Sequence, residues 1–531
     1  MRVTLSYSII TIEGAPKWLD SIGRYKLRVR KSPEEMKAER ERKKSYGKST
    51  KVVPYRYEEK TVMERDPDDP SKLYFMAGLW PRVQENLDRR DIEYEIVDNR
   101  DPSKKPPLDL SRLGDVEFRE NQDVAIALIA TSDCGIINTP TGFGKTFLVS
   151  MICKLLPTLR IVVTTGSSSV VATNYEYISK VIPGEVGCLT GKMDTTKGKR
   201  VIVTTLKSLP KIPTENVDLC IADECHDIGD TQAAETISQF YFARKFGFSA
   251  SPVRTDGSGI VMESLFGPVI LNMTYTEAVD VGMVTPMKYV MLPCPNGPEF
   301  LNTAKDLSDV VQKRYSYWSN RYRNKVIANF MYQLKSVSDA QVLIMVSTLQ
   351  HALELKVLMP WLVVAYYGSA DMEDLRKKFP KAKYPNLDLD KVRMTPKQLD
   401  ITRRAFAKGT LRWIVSTYVF RQGVSFNHLR VLVRADGTTT EVAGIQIPGR
   451  LSRLDEGKDC AYLVDLNDTF SDWAARRSEA RAKLYQEQGW KEISREELLN
   501  DLRTKPDDEP DDAPGTSSAE AGYPEPVGET E

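Results

Sequence analysis

The sequence predicts an α/β protein with two parallel-sheet domains in tandem, a small N-terminal α+β domain and a disordered acidic C-terminal tail. Three observations predict it. Short apolar runs alternate with helical patterns from Val116 to about Thr285, a pattern that builds a parallel sheet with helices on both faces. The alternation restarts at Val342. A glycine-bearing loop, residues 139–146, is followed about 300 residues later by an arginine segment, 446–453 (QIPGRLSR), suited to the same ligand.

Composition bounds the classes available. Hydrophobic residues make up 41% and charged residues 28% of 531 positions, a balance that supports cores in about two to four domains and fits neither a disordered nor a membrane chain. The longest apolar runs fall far short of a membrane span. The net charge of +1 conceals an uneven distribution: residues 505–531 hold nine acidic and one basic side chain, which leaves +9 on residues 1–504. Such a body is compatible with nucleic acid. Seven cysteines show no CxxC pairing, and no signal-peptide pattern opens the chain. Reduced thiols and a cytoplasmic location (a host cytoplasm if phage-encoded) are therefore expected. With only His226, His351 and His428 available, a histidine-rich metal site is excluded.

The N-terminal domain is expected over residues 1–112. Within it, 73–80 reads as a strand, 81–90 as a helix opened by Pro81, and 92–97 as a second strand. Two basic clusters stand out: Arg24, Lys26, Arg28, Arg30 and Lys31, then Arg40, Arg42, Lys43 and Lys44. Each is either a DNA contact or a solvated face, and Glu39 and Glu41 favour the solvated face for the second. The proline-rich stretch 98–109 reads as a linker. The first parallel-sheet domain, 113–285, takes strands at 135–138, 160–164, 200–204, 219–222 and 245–248. The second, 286–498, takes strands at 342–346, 362–366, 411–415, 430–433 and 460–464. Residues 499–531 form the tail, which from Pro506 onward has almost nothing to bury.

Residues 139–146 (TPTGFGKT) lie between a strand and a helical pattern. Thr141, Gly142, Phe143 and Gly144 would form a backbone cradle for phosphates at a helix N-terminus. Lys145 would reach the β- and γ-phosphates and the Thr146 hydroxyl would hold Mg²⁺. Thr139 stands where the general pattern has glycine. The apolar run 217–222 ends in Asp223, Glu224, Cys225 and His226, about 78 residues after Lys145. A carboxylate at a strand's C-terminal edge can hold Mg²⁺, which suits Asp223, while Glu224 would orient and deprotonate the attacking water. Arg450 and Arg453, three apart, would point the same way on a helix. Guanidinium groups stay charged and bind phosphate oxygens bidentately, so both are candidates to stabilise charge on the γ-phosphoryl group. Alone, a DE pair is often a surface turn and two arginines a solvated face; their order behind a phosphate loop weighs against both.

With these motifs in order across residues 116–467, the chain resembles a superfamily 2 helicase of the DEAD/DEAH type. The resemblance implies two RecA-like domains, ATP and Mg²⁺ as cofactors, and nucleic acid as partner. It also implies roles for shorter segments. Arg119 and Gln122 (FRENQ) would read adenine, and His226 would link nucleotide state to the other domain. Thr205, with Thr204 and Ser208 (TTLKSL), resembles a nucleic-acid backbone contact. Ser249 and Ser251 (FSASP) resemble the coupling motif, with Ser251 in place of the common Thr. Ser347 and Thr348 (MVSTLQHA) resemble a DNA contact from the second domain. Thr417 and Gly423 (STYVFRQGVSF) resemble the motif bridging DNA and nucleotide, with Ser425 where many relatives carry Asp. Gln446 and Gly449 complete the arginine motif. Singly, such hydroxyl pairs are ordinary strand ends; the ordered set carries the resemblance.

Segments 248–257, 265–286 and 423–429 are similar to the XPB-like and phage UvsW-type branch. That implies an ATP-dependent DNA helicase or translocase that remodels duplex or branched DNA in recombination, fork rescue or repair, alongside other recombination or replication proteins. The alternatives are a restriction-system motor, for which no nuclease carboxylate–lysine cluster is recognisable, and an RNA helicase.

Overall fold

The computed structural model describes residues 1–45, 55–229, 231–250, 257–303, 307–367, 371–417, 426–439, 444–445 and 448–504. The N-terminal unit holds β1 (Arg2–Leu5), β2 (Ile9–Glu13), β3 (Arg24–Arg30), β4 (Tyr55–Thr61), β5 (Met63–Arg65), β6 (Leu73–Met76) and β7 (Glu95–Asp98). Five of these form a sheet ordered β5-β6-β2-β1-β7, while β3 and β4 pair antiparallel as a separate two-stranded arm. Helix Trp80–Asp88 covers the sheet, burying Val83 and Leu87 with Val3, Ile10, Ile12 and Phe75. The strand expected at 73–80 stops at Met76, and a turn of 3-10 helix, Ala77–Leu79, follows. The reason is local: Gly78 lies against the backbone of Glu263 and Gly267 with no room for a Cβ, so the chain bends where the unit meets its neighbour. The second strand starts at Glu95 rather than 92.

The first lobe carries β8 (Cys134–Asn138), β9 (Ile161–Thr165), β10 (Val186–Leu189), β11 (Val201–Thr205), β12 (Leu219–Asp223), β13 (Arg244–Ser249) and β14 (Val269–Asn272). They form a parallel sheet ordered β10-β11-β9-β12-β13-β8-β14. Its central strands are buried on both faces, which is why they read as unbroken apolar runs. The second lobe repeats the plan with β15 (Met287–Cys294), β16 (Gln341–Met345), β17 (Val363–Ala365), β18 (Trp413–Ser416), β19 (Leu429–Arg434), β20 (Ala461–Asp468) and β21 (Lys491–Glu492), ordered β17-β18-β16-β19-β20-β15-β21. All ten strands expected in the two lobes are present within a few residues; β10, β14, β15 and β21 are additional. β15 escapes a pattern search because Lys288 and Pro293 interrupt its apolar run. Pro293 is tolerated where β15 pairs with β20 but has run past β21.

The expected linker 98–109 is pinned rather than free. Tyr7 donates its hydroxyl to the Asp101 carbonyl (2.7 Å) and Arg244 donates to the Lys104 carbonyl (2.9 Å). Buried Lys245 of β13 donates to Ser8 Oγ (2.6 Å) and the Tyr7 carbonyl (3.2 Å), tying the N-terminal unit to the first lobe. The tail boundary at 499 also needs correction. Helix Arg495–Asp501 runs through it, Leu498 and Leu502 are buried in the second-lobe core, and Thr504 N donates to the Val337 carbonyl (2.9 Å). No helix among the described residues is long and apolar enough to cross a membrane.

Candidate active site

Strand β8 delivers the phosphate loop to the C-terminal edge of the first sheet, where Thr139 N donates to the Ser249 carbonyl (3.0 Å). Gly142 and Gly144 sit at φ 104° and 97°, a left-handed backbone that glycine adopts without steric cost. Helix Lys145–Leu155 follows, and its first amides have no helical partner. The Phe143 side chain belongs to the core, so this residue offers only its backbone; its carbonyl accepts from Gln122 Nε2 (2.7 Å). Gln122 Oε1 accepts from Arg119 N (3.0 Å). Gln122 thus braces the loop through Nε2 and holds the Arg119 backbone through Oε1, and of the two residues it is Arg119 that lines the cavity.

That cavity, about 400 Å³, is also lined by Thr141, Gly142, Gly144, Lys145, Thr146, Asn174, Tyr177, Asp223, Glu224, Asn427 and Arg453. Lys145 Nζ donates to the Thr139 carbonyl (3.0 Å). Thr146 Oγ1 donates to Asn174 Oδ1 (3.2 Å), and Asn174 Nδ2 donates to Asp223 Oδ2 (3.0 Å). Burial, and then the neighbouring Glu224 charge, push the Asp223 carboxyl up to about 6, an environment that favours a cation beside it. Glu224 itself has φ 56°, strained for a residue with a Cβ. Its Oε2 is buried without a hydrogen bond, 3.4 Å from His226 Nδ1. The same His226 nitrogen lies 3.2 Å from Ser249 Oγ, so one ring joins the carboxylate pair to the end of β13. Open amides, a glycine cradle, a lysine, a hydroxyl and two carboxylates fit a nucleoside triphosphate with Mg²⁺.

The second lobe closes the cavity. Ser452 Oγ donates to the Thr141 carbonyl (3.1 Å), and a Cβ on Gly449 would lie 3.1 Å from the Thr141 side chain. Thr285, between the lobes, donates its amide to the Ser452 carbonyl (2.7 Å) and its hydroxyl to the Arg453 carbonyl (3.1 Å). Arg453 is buried enough that desolvation lowers its guanidinium, while the Glu224 charge acts to raise it. Pro448–Arg450 is one turn of 3-10 helix, so Arg450 and Arg453 do not share an α-helical face; the Arg450 side chain lies outside the described parts.

The other expected residues sit at strand ends. Thr205 Oγ1 donates to Ser208 Oγ (3.1 Å) after β11. Ser347 Oγ donates to the Asp436 carbonyl (3.3 Å), Thr348 caps helix Leu349–Leu358 by accepting from His351 N (3.2 Å), and Thr417 is buried after β18. Ser251, Gly423, Ser425 and Gln446 lie outside the described residues. Sequence reading missed Asn174, Tyr177, Asn427 and Lys458. Asn174 had a usable signal, a polar residue in register with buried Val171 and Ile178 on one helix face. Lys458, buried, donates to the carbonyls of Asn427 (3.0 Å) and Arg453 (3.1 Å), and nothing local in sequence marks it.

Residues 115–254 match the family profile "Type III restriction enzyme, res subunit". The ATP-dependent DNA helicase uvsW of Enterobacteria phage T4 is 24% identical over 351 residues, 63% of this chain and 65% of the relative, so the chain spans just under two thirds of that protein. The probable helicase D10 of Escherichia phage T5 is 24% identical over 77% of this chain and 83% of its own length. The DNA 3'-5' translocase XPB2 of Sulfurisphaera tokodaii is 27% identical over 35% of this chain and 42% of its own. Among solved structures, S. cerevisiae Dbp5 bound to RNA and ADP BeF3 has a TM-score of 0.50 at 12% identity, covering 76% of this chain and 98% of that one. A putative HsdR fragment from Vibrio vulnificus YJ016 has a TM-score of 0.51 at 16% identity, covering 87% and 83%. The two lobes are those of a RecA-like helicase fold. By sequence, the chain is similar to the phage helicases uvsW and D10 and, over about a third of its length, to the translocase XPB2.

Proposed function

We propose that the chain is an ATP-dependent DNA helicase or translocase that remodels duplex or branched DNA. One observation carries this reading: Lys145, Thr146, Asp223 and Glu224 of the first lobe and Arg453 of the second line one cavity. The amides at the start of helix Lys145–Leu155 bind phosphate, and Lys145 leaves the Thr139 carbonyl for the β- and γ-oxygens. Thr146 and Asp223 are the residues to hold Mg²⁺, which when bound neutralises charge between the phosphates. Glu224, with an unsatisfied oxygen, takes the proton from the attacking water. Arg453 stabilises charge developing on the γ-phosphoryl group. Because these groups come from two lobes, the site is complete only while the lobes are together. Turnover then alters the spacing between Thr205 on one lobe and Ser347 and Thr348 on the other, the proposed nucleic-acid contacts.

ATPase and strand-displacement assays with single strands, duplexes, forks and four-way junctions test this reading. Forks and junctions should stimulate turnover most. Stimulation by RNA equal to that by DNA would move the assignment to an RNA helicase. The restriction profile and the HsdR likeness favour a second reading, a restriction motor, and ATP-dependent cleavage of duplex DNA would select it.

A further inference from the structure

We infer that the two-stranded arm β3–β4 grips one strand of DNA against the second lobe. The inference rests on the motor reading above and adds a surface to it. Along β3, Arg24, Lys26, Arg28 and Arg30 are exposed while Tyr25, Leu27 and Val29 are half-buried. The register sets Arg28 opposite Tyr57 and Arg30 opposite Tyr55, so the cations and both rings share one face. Tyr57 is 68% exposed, and the Arg28 guanidinium lies 4.4 Å from the centre of the Tyr55 ring. The same register sets Glu59 opposite Lys26, while Arg28 and Arg30 have no carboxylate partner among the described residues. On the opposite face the charge is already neutralised, because Arg56 pairs with both Glu35 and Glu58.

The arm's position supplies the second argument. It crosses the first lobe where Gly257 lies directly under the Lys26 carbonyl, with no space for a Cβ. Its far end reaches the second lobe, where Arg30 and Tyr55 face Trp318, Ser347, Asp436 and Arg477 across a cavity of about 520 Å³. Asp436 is paired with Arg434 (3.2 Å), so its charge is compensated. A gap of this volume has room for the bases of a single strand. Cations that follow a backbone, with rings on which any base can stack, are what a single strand requires.

The test uses the full chain, with fluorescent oligothymidylate and a blunt duplex as probes. Paired substitutions Tyr55→Leu with Tyr57→Leu, and Lys26→Gln with Arg28→Gln, should each weaken oligothymidylate binding on the order of tenfold. The second pair should also flatten the salt dependence by about 0.7 in log–log slope per cation. Duplex affinity and ATPase activity without DNA should change little, and Tyr57→Phe should restore binding to a Tyr57→Leu protein. Unchanged oligothymidylate binding in both paired variants overturns the inference and leaves the motor reading intact. An equal loss on the duplex overturns it in favour of a duplex-binding arm. Failure of the wild-type chain to bind either DNA removes the motor reading as well.

Discussion

Ser452 of the second lobe donates its hydroxyl to the Thr141 carbonyl of the phosphate loop at 3.1 Å. The same hydroxyl also has the Gly449 carbonyl within reach at 2.7 Å, so its proton is shared between its own turn and the loop whose ligand the arginine segment is proposed to act upon. Ser452→Ala removes one hydrogen bond, typically about 1 kcal/mol. Turnover should fall about fivefold while the fold holds, as read by steady-state ATPase assays beside a thermal melt. Gly449→Val, which drives a branched side chain into Thr141, should cost more than Ser452→Ala. The reverse order would place lobe closure elsewhere.

Glu224→Gln keeps the size and removes the base. Nucleotide should bind and persist, with prolonged retention of DNA. Single-turnover hydrolysis distinguishes this from a binding defect, and wild-type chemistry in the variant would assign the water to another group.

Lys458 supports Arg453 without reaching the cavity. Lys458→Met deletes donors to both the Arg453 and Asn427 carbonyls, and kcat should fall about thirtyfold, in line with two hydrogen bonds lost at about 1 kcal/mol each, with KM for ATP nearly unchanged. Lys458→Arg should recover part of the loss. Equal effects on kcat and KM would reduce Lys458 to a structural role.

The candidate site was legible because each motif is contiguous: a loop of eight residues, a carboxylate pair after an apolar strand, an arginine segment. The two sheets were legible because strands buried on both faces leave unbroken apolar runs. Groups that meet only through the fold were not. Asn174 joins Thr146 to Asp223 from a helix of its own, and Gln122 turns out to brace the loop. The arm was half legible: Arg24 to Lys31 stood out as charge, but the alternation with Tyr25, Leu27 and Val29 that makes it a strand went unread.

Lys245 provides a pH test of the bond between the N-terminal unit and the first lobe. Burial lowers its ammonium from 10.5 to about 8. Between those values the unfolded chain keeps a proton that the folded chain has released, so folding stability from this group rises with pH. Wild type should therefore gain on Lys245→Met by at most about 3 kcal/mol from pH 8 to 10.5, measured by urea unfolding of both proteins. A constant difference across the window would mean that Lys245 titrates normally.

The central claim is that one ATP site is shared by two lobes, and Arg453→Ala tests it most directly. Presteady-state ATP hydrolysis, measured with DNA present and beside a separate nucleotide-binding titration, should slow on the order of 10³-fold or more. ATP affinity should stay within a few-fold of wild type. Hydrolysis at the wild-type rate in a folded Arg453→Ala protein would contradict the shared site and leave the second lobe with no part in the chemistry.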